Sequence, residues 1–251
     1  MNLNDIPRSS GTTFEQRRIA LKKLAYEKKS TLLPGAANAL AARIMEDIGF
    51  EALYLTGAGF TNTQLGQPDL GLVTATEIID AATRIGDVSN LPLIVDMDTK
   101  LRACLDARRD ENTLIIARTD ARAVDGFEAA LERAHRMAEE GVDMLFVEAP
   151  ESIDEIRTIS ELETPQLINF VFGGRTPIMS AEDLKTYGFS FLLYANVALQ
   201  ASIKAMQDVL TSLYETGSLD QVEDRLATFS ERQRVVGKPE IDEIAKRYEG
   251  S

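Results

Sequence analysis

One pattern recurs along the chain and constrains its fold more than any other: an amphipathic helical stretch, a glycine, then a short apolar run. Gly49 precedes Leu53-Tyr54-Leu55, Gly141 precedes Met144-Leu145-Phe146-Val147, and Gly188 precedes Phe191-Leu192-Leu193-Tyr194. A glycine just past a helix takes the left-handed conformation that turns the chain into the next element. The apolar runs are continuous rather than alternating, as in strands buried on both faces of a parallel sheet. Strands are expected at 31–34, 52–56, 92–97, 113–118, 143–148, 166–170 and 190–195. Helices lie between them, with further helical segments at about 13–28 and 219–248. Thr74-x-x-Glu77 and Ser152-x-x-Glu155 read as capping boxes, and Ser180 with Asp183 as a weaker one.

Alternating strands and helices imply a parallel sheet, closed as a barrel or open and doubly wound. Two features favour the barrel. No Gly-x-Gly-x-x-Gly follows the first strand, so the usual dinucleotide signature of an open sheet is missing. Polar residues also end many strands: Thr56, Asp96, Asp98, Arg118, Asp120, Glu148, Asn169 and Asn196. A barrel gathers such positions into one pocket, whereas an open sheet spreads them along an edge. The strands number seven rather than eight, and Asp98-Thr99-Lys100 runs straight into a helix at Leu101–Arg109. We expect one domain over 1–251: a helical arm over 1–30, the barrel over 31–215 and C-terminal helices over 216–251.

Composition narrows the function. The formal net charge is −13, so nucleic acid and anionic membrane surfaces are poor partners. No apolar run approaches the ~20 residues of a membrane span, and the N-terminal stretch lacks the apolar segment of a signal peptide. A single cysteine, Cys104, fits a reducing cytoplasm. Cys104 and the only histidine, His135, both fall within helices and read as structural, which leaves carboxylate, metal and arginine chemistry.

Asp96-Met97-Asp98 closes an apolar strand with two acids on one side. Such a pair needs a cation or strong donors. Carboxylate oxygens suit Mg²⁺ or Mn²⁺; alternatively the acids cap the next helix or pair with a basic residue. Arg118 can clamp a carboxylate bidentately, or pair with Asp120 or Glu148. Glu148 can orient metal-bound waters. Thr56-Gly57-Ala58-Gly59 can bind an anion through backbone N–H groups, or be an ordinary loop, and Asp69 reads by itself as a turn residue.

Six segments together resemble the isocitrate lyase / phosphoenolpyruvate mutase superfamily: LLPGAANALAARIMEDIGFEALYLTGAG, LGQPDLGLVTATEI, LPLIVDMDT, TLIIARTDAR, GVDMLFVEAPES and INFVFGGRTP. Their order and spacing match over nearly the whole chain. The resemblance implies a (β/α)8 TIM-type barrel, assembled as a homotetramer through swapped C-terminal helices. It implies a Mg²⁺-dependent carbon–carbon lyase of the 2-methylisocitrate lyase type, acting on a small 2-hydroxy or 2-oxo di- or tricarboxylate through an enolate-like species. Oxaloacetate hydrolase or decarboxylase and phosphonopyruvate mutase or hydrolase chemistry are alternatives on the same fold, and an inactive carboxylate-binding relative is the non-enzymatic one. By resemblance Asp96 is a direct metal ligand and Asp98 holds metal waters. Thr56, Gly57 and Ala58 bind the substrate carboxylate, with Tyr54 on the strand that leads to them. Arg118 binds the oxyacid, and Asp69, Glu148 and Asn169 complete the pocket, with Arg118 and Asp69 as the catalytic pair. Dication and arginine together would stabilise developing enolate charge.

Two departures stand out. The family's further strand, with an acidic residue at its end, and its mobile gating loop have no match, so roughly 50 residues, about one and a half βα units, are absent near Thr99-Lys100. A seven-strand remnant would leave sheet edges exposed, so residues missing from the chain as read are expected rather than a true deletion. A Thr99–Lys100 Cα separation far above about 3.8 Å would be the sign. Second, Phe172 stands where many members have glutamate, which predicts a more apolar pocket.

Overall fold

The computed structural model describes residues 11–97 and 100–249. The chain starts with α1 (Phe14–Glu27), then β1 (Thr31–Ala36), α2 (Ala39–Ile48), β2 (Leu53–Leu55), α3 (Gly57–Leu65), α4 (Ala75–Val88) and β3 (Leu93–Val95). It continues through α5 (Leu101–Ala107), β4 (Ile116–Thr119), α6 (Ala121–Asp125), α7 (Phe127–Glu139), β5 (Met144–Val147) and α8 (Ile153–Ser160). Then come β6 (Gln166–Asn169), α9 (Ala181–Tyr187), β7 (Phe191–Tyr194), α10 (Val197–Thr216), α11 (Phe229–Val235) and α12 (Lys238–Glu249). Each expected strand is present. The single helical segment expected at 219–248 is instead a short 3₁₀ turn at Glu223–Arg225 followed by two helices.

All strand pairs are parallel, in the order β3-β2-β1-β7-β6-β5-β4. The first strand pairs with the last, so the sheet curls as a TIM-type barrel does. It does not close, however: among the described residues β3 and β4 are unpaired edges. This seam lies where the sequence runs one unit short. The sequence is numbered without a break through it. Asp98 and Thr99 lie outside the described residues, so the expected sign at Thr99–Lys100 does too.

Three apolar clusters follow from this curl. Inside it, Leu33, Tyr54, Ile94, Met144, Phe146, Leu167, Phe191 and Leu193 pack together with Leu21 and Ala25 of α1. Outside, one layer packs α7, α8 and α9 on β4 to β7, and another packs α2 and α4 on β1 to β3. Strands buried from both sides explain the continuous apolar runs.

Local signals hold where they can be checked. Gly49, Gly141 and Gly188 have φ of 104°, 87° and 75°. Thr74 and Glu77 form a full capping box. Ser152 caps α8, but the Glu155 carboxylate turns away to the Glu151 N–H and to Arg122, so that box is only half made.

Helix α1 does more than cover the core. On the β3 side of the seam, Arg17 Nη1 donates to Gly86 O at 2.9 Å and Thr12 Oγ1 to Asn90 Oδ1 at 3.0 Å. On the β4 side, Arg18 Nε donates to Asp110 Oδ2 at 2.6 Å and Lys22 Nζ to Glu111 O at 3.2 Å. The helix thus bridges the seam below the strands' N-terminal ends. Helix α5 also lies across the seam, tied to the far side by Arg102–Glu140 and, just past its end, by Arg108–Asp143.

Candidate active site

The strands' C-terminal ends open into one cavity of about 580 Å³. Its walls include Tyr54, Gly57, Asp69, Asp96, Arg118 and Asp120. Three elements aim these groups. The end of β2 leads into α3, whose N-cap is Thr56; its Oγ1 accepts from Gly59 N at 3.2 Å. The first N–H groups of α3 have no partner within the helix, and the helix dipole adds positive potential there. A Cβ placed on Gly57 would lie 3.5 Å from Asp96 Oδ2 and 3.9 Å from Asp69 Oδ2. A helix start, a strand-end acid and a loop acid therefore converge around one small residue.

Across the seam stands Arg118. Its guanidinium grips Asp120 with two bonds, Nε–Oδ2 at 3.2 Å and Nη2–Oδ1 at 2.8 Å. It lies 3.4 Å from Glu148 Oε2 and 5.0 Å from the centre of the Phe146 ring. Burial alone would lower its pKa. The bond to Asp120 and the charges of Glu148, Asp120 and Asp96 outweigh that and raise it, so Arg118 is a permanent cation. Both alternatives for this side chain thus share one geometry: it is ion-paired at rest, and it faces the cavity.

Burial pushes the Glu148 carboxyl above its ordinary value against the opposing pull of Arg118 and Asn169. Oε1 accepts from Asn169 Nδ2 at 3.4 Å, while Oε2 is buried without a hydrogen bond, near Arg118 but not aligned with it. Tyr54 is 5% exposed. Burial raises its phenol far above the usual range, and the charge of Asp96 and a hydrogen bond to it add to the effect. A phenol that stays protonated beside Asp96 can orient that carboxylate.

The expected residues are therefore partly gathered. Tyr54, Gly57, Asp69, Asp96 and Arg118 share the cavity wall; Glu148 and Asn169 stand behind Arg118. Thr56 is buried and occupied as a cap, and Ala58 is half-buried outside the wall. Asp98 lies outside the described residues. Phe172 is 80% exposed and does not line the cavity, so it does not make the pocket apolar as expected. His135 is exposed on α7. Cys104 lies in α5, a helix as expected, is half-buried and lines the cavity. No local pattern signals this, because only the missing unit brings α5 over the seam.

Among the described residues no group of three or more His, Cys, Asp or Glu side chains forms a cation cage. Mg²⁺ does not require one; it keeps several waters and takes one or two protein carboxylates. Asp96 supplies such an oxygen, and the unbonded Oε2 of Glu148 is an acceptor suited to a metal-bound water. The donor set fits this ion in type.

A curled parallel sheet that gathers an acid, an arginine and a helix start at its C-terminal mouth has the layout of a barrel enzyme's active site. The phosphoenolpyruvate phosphomutase family model matches residues 21–100 and 97–214, and the chain belongs to the phosphoenolpyruvate mutase / isocitrate lyase superfamily. It is 30% identical to 2,3-dimethylmalate lyase of Eubacterium barkeri, covering 91% of this chain and 96% of that one. It is 31% identical to 2-methylisocitrate lyase of Aeropyrum pernix, covering 89% and 88%. Among solved structures, oxaloacetate acetylhydrolase with 3,3-difluorooxalacetate matches with a TM-score of 0.87 at 25% identity, covering 96% of this chain and 99% of that one.

The family match breaks in two at 97–100. The alignment to the Eubacterium enzyme spans 279 positions, whereas 91% of 251 residues is about 228. About 50 aligned positions thus face no residue here. That is the size of the unit whose absence leaves the seam.

Proposed function

We propose that this protein is a Mg²⁺-dependent carbon–carbon lyase acting on a small 2-hydroxy or 2-oxo di- or tricarboxylate, of the class that includes 2-methylisocitrate and 2,3-dimethylmalate. The observation that carries the reading is the convergence of Asp96, the start of α3 and Arg118 on one cavity. The names of these two relatives support the same chemistry.

In this reading the N–H groups of Gly57 and Ala58 hold one carboxylate. Arg118 releases Asp120 to grip the oxyacid end. Tyr54 keeps its proton and fixes Asp96. Asp96, with Asp98, would hold Mg²⁺, or Mn²⁺ in its place, which supplies Lewis-acid stabilisation of the enolate-like charge that appears as the bond breaks. Asp69 closes the mouth from the loop after α3. The small carboxylate is the partner; an acidic surface disfavours nucleic acid and membrane. No helix among the described residues is long and apolar enough to cross a membrane, and the lone cysteine supports a cytoplasmic setting.

The test is turnover of 2-methylisocitrate, isocitrate, 2,3-dimethylmalate, oxaloacetate and phosphonopyruvate with Mg²⁺. One of them is cleaved, and Asp96→Ala abolishes that cleavage while the circular dichroism spectrum is retained. Full activity in Asp96→Ala sinks the metal assignment. The absent unit favours a second reading, a carboxylate binder without activity. It predicts no turnover of any of the five, with oxalate still bound.

A further inference from the structure

The cavity is larger than the charged mouth needs, and its composition changes with depth. Above lie Asp96, Arg118, Asp120 and Asp69. Below, the same cavity continues between β3 and β4, past Ile94, Ile116 and Leu167, to Leu101, Cys104 and Met137 under α5 and α7. Ile94 and Leu167 belong to the inner core, whereas Leu101 and Met137 belong to the outer helix layer. The opening therefore passes through the wall of the barrel. A volume of about 580 Å³ lies in the range of roughly 300–1,000 Å³ that holds drug-sized ligands. A di- or tricarboxylate fills only the polar end.

We propose that the seam is a binding slot for an apolar substituent. The ligand this site fits is then a carboxylate bearing an alkyl chain, its acid groups at the mouth and its chain passing between β3 and β4. The inference rests on the reading of the mouth as a carboxylate site. Complementarity argues for such an occupant: a cation and free helix N–H groups at one end, aliphatic and sulfur-bearing side chains at the other. Each methylene seated there leaves water for an apolar wall and tightens binding about three- to fourfold.

The experiment is calorimetric titration of the whole chain, with Mg²⁺, using malonate and its methyl, ethyl, butyl and hexyl derivatives. The expected result is affinity rising about two- to fourfold per methylene from ethyl to butyl. Cys104→Trp, which fills the slot from α5, flattens the rise; its circular dichroism spectrum checks the fold, and the wild-type series stands without it. Malonate binding with no gain on chain length overturns the slot alone. Binding by no member of the series overturns the slot and the carboxylate mouth together. A flat series accompanied by a smaller particle mass for Cys104→Trp assigns the slot to a second copy of the chain and also overturns the proposal.

Discussion

At the scale of single residues, the site is a set of charges held under strain by burial. Glu148 shows it best. Burial raises its pKa above the ordinary carboxylate value, and the nearby Arg118 and Asn169 only partly offset this. A folded-state pKa above the unfolded one favours the protonated form in the fold. Its contribution to stability is complete below the unfolded value and is lost as pH rises through the folded one. Glutamine imitates the protonated form at every pH. Glu148→Gln should therefore melt higher than the wild type at pH 7, with the difference closing toward pH 4, in thermal scans across that range. An equal melting temperature at pH 7 would remove the argument. The same substitution is expected to impair turnover, as happens where a site is kept at the expense of stability.

Elements were legible where their signals are local. Continuous apolar runs marked every strand, and helix-end glycines three of them, because both signals depend on neighbours in sequence. Cross-chain contacts were not legible. Nothing in Arg17 or Arg18 announces that α1 spans the seam, since their partners at Gly86 and Asp110 lie 69 and 92 residues away. Asp96 and Arg118 could be placed at the cavity from sequence because they lie at strand ends, whereas Tyr54, inside β2, came only from the resemblance. Cys104 could not be placed there, because it depends on a unit that is absent. Phe172 was misread because a family position does not fix where a side chain points. One contact between elements gives a sharp test. A Cβ on Gly35 in β1 would fall 1.9 Å from the backbone oxygen of Ala195, just past β7. That approach lies in the pair that joins the two halves of the sheet. Gly35→Ala should cost at least about 2–3 kcal/mol in urea unfolding, because backbone cannot step aside as a side chain can. Gly57→Ala meets nothing nearer than 3.5 Å, so it should fold normally and show its effect in carboxylate binding.

At the scale of the whole molecule, α10 leaves an apolar face uncovered among the described residues. Ile203, Met206, Leu210 and Tyr214 line one face of α10 and are 41%, 54%, 58% and 92% exposed. Their spacing is that of a helix stripe, and such patches mark association surfaces. The homotetramer that the resemblance implies would give this face an occupant. Leu210→Asp should reduce the particle mass in light scattering at micromolar concentration; an unchanged mass in both proteins would rule this face out. The seam has a different consequence. It is stapled at the foot by α1 and crossed by α5, and at its upper lips Asp96 and Arg118 line the same cavity from opposite sides. A carboxylate gripped by the start of α3 on one lip and by Arg118 on the other would act as an upper staple. Ligand and backbone would then share one mechanical task, and an occupied barrel would be a stiffer ring than an empty one.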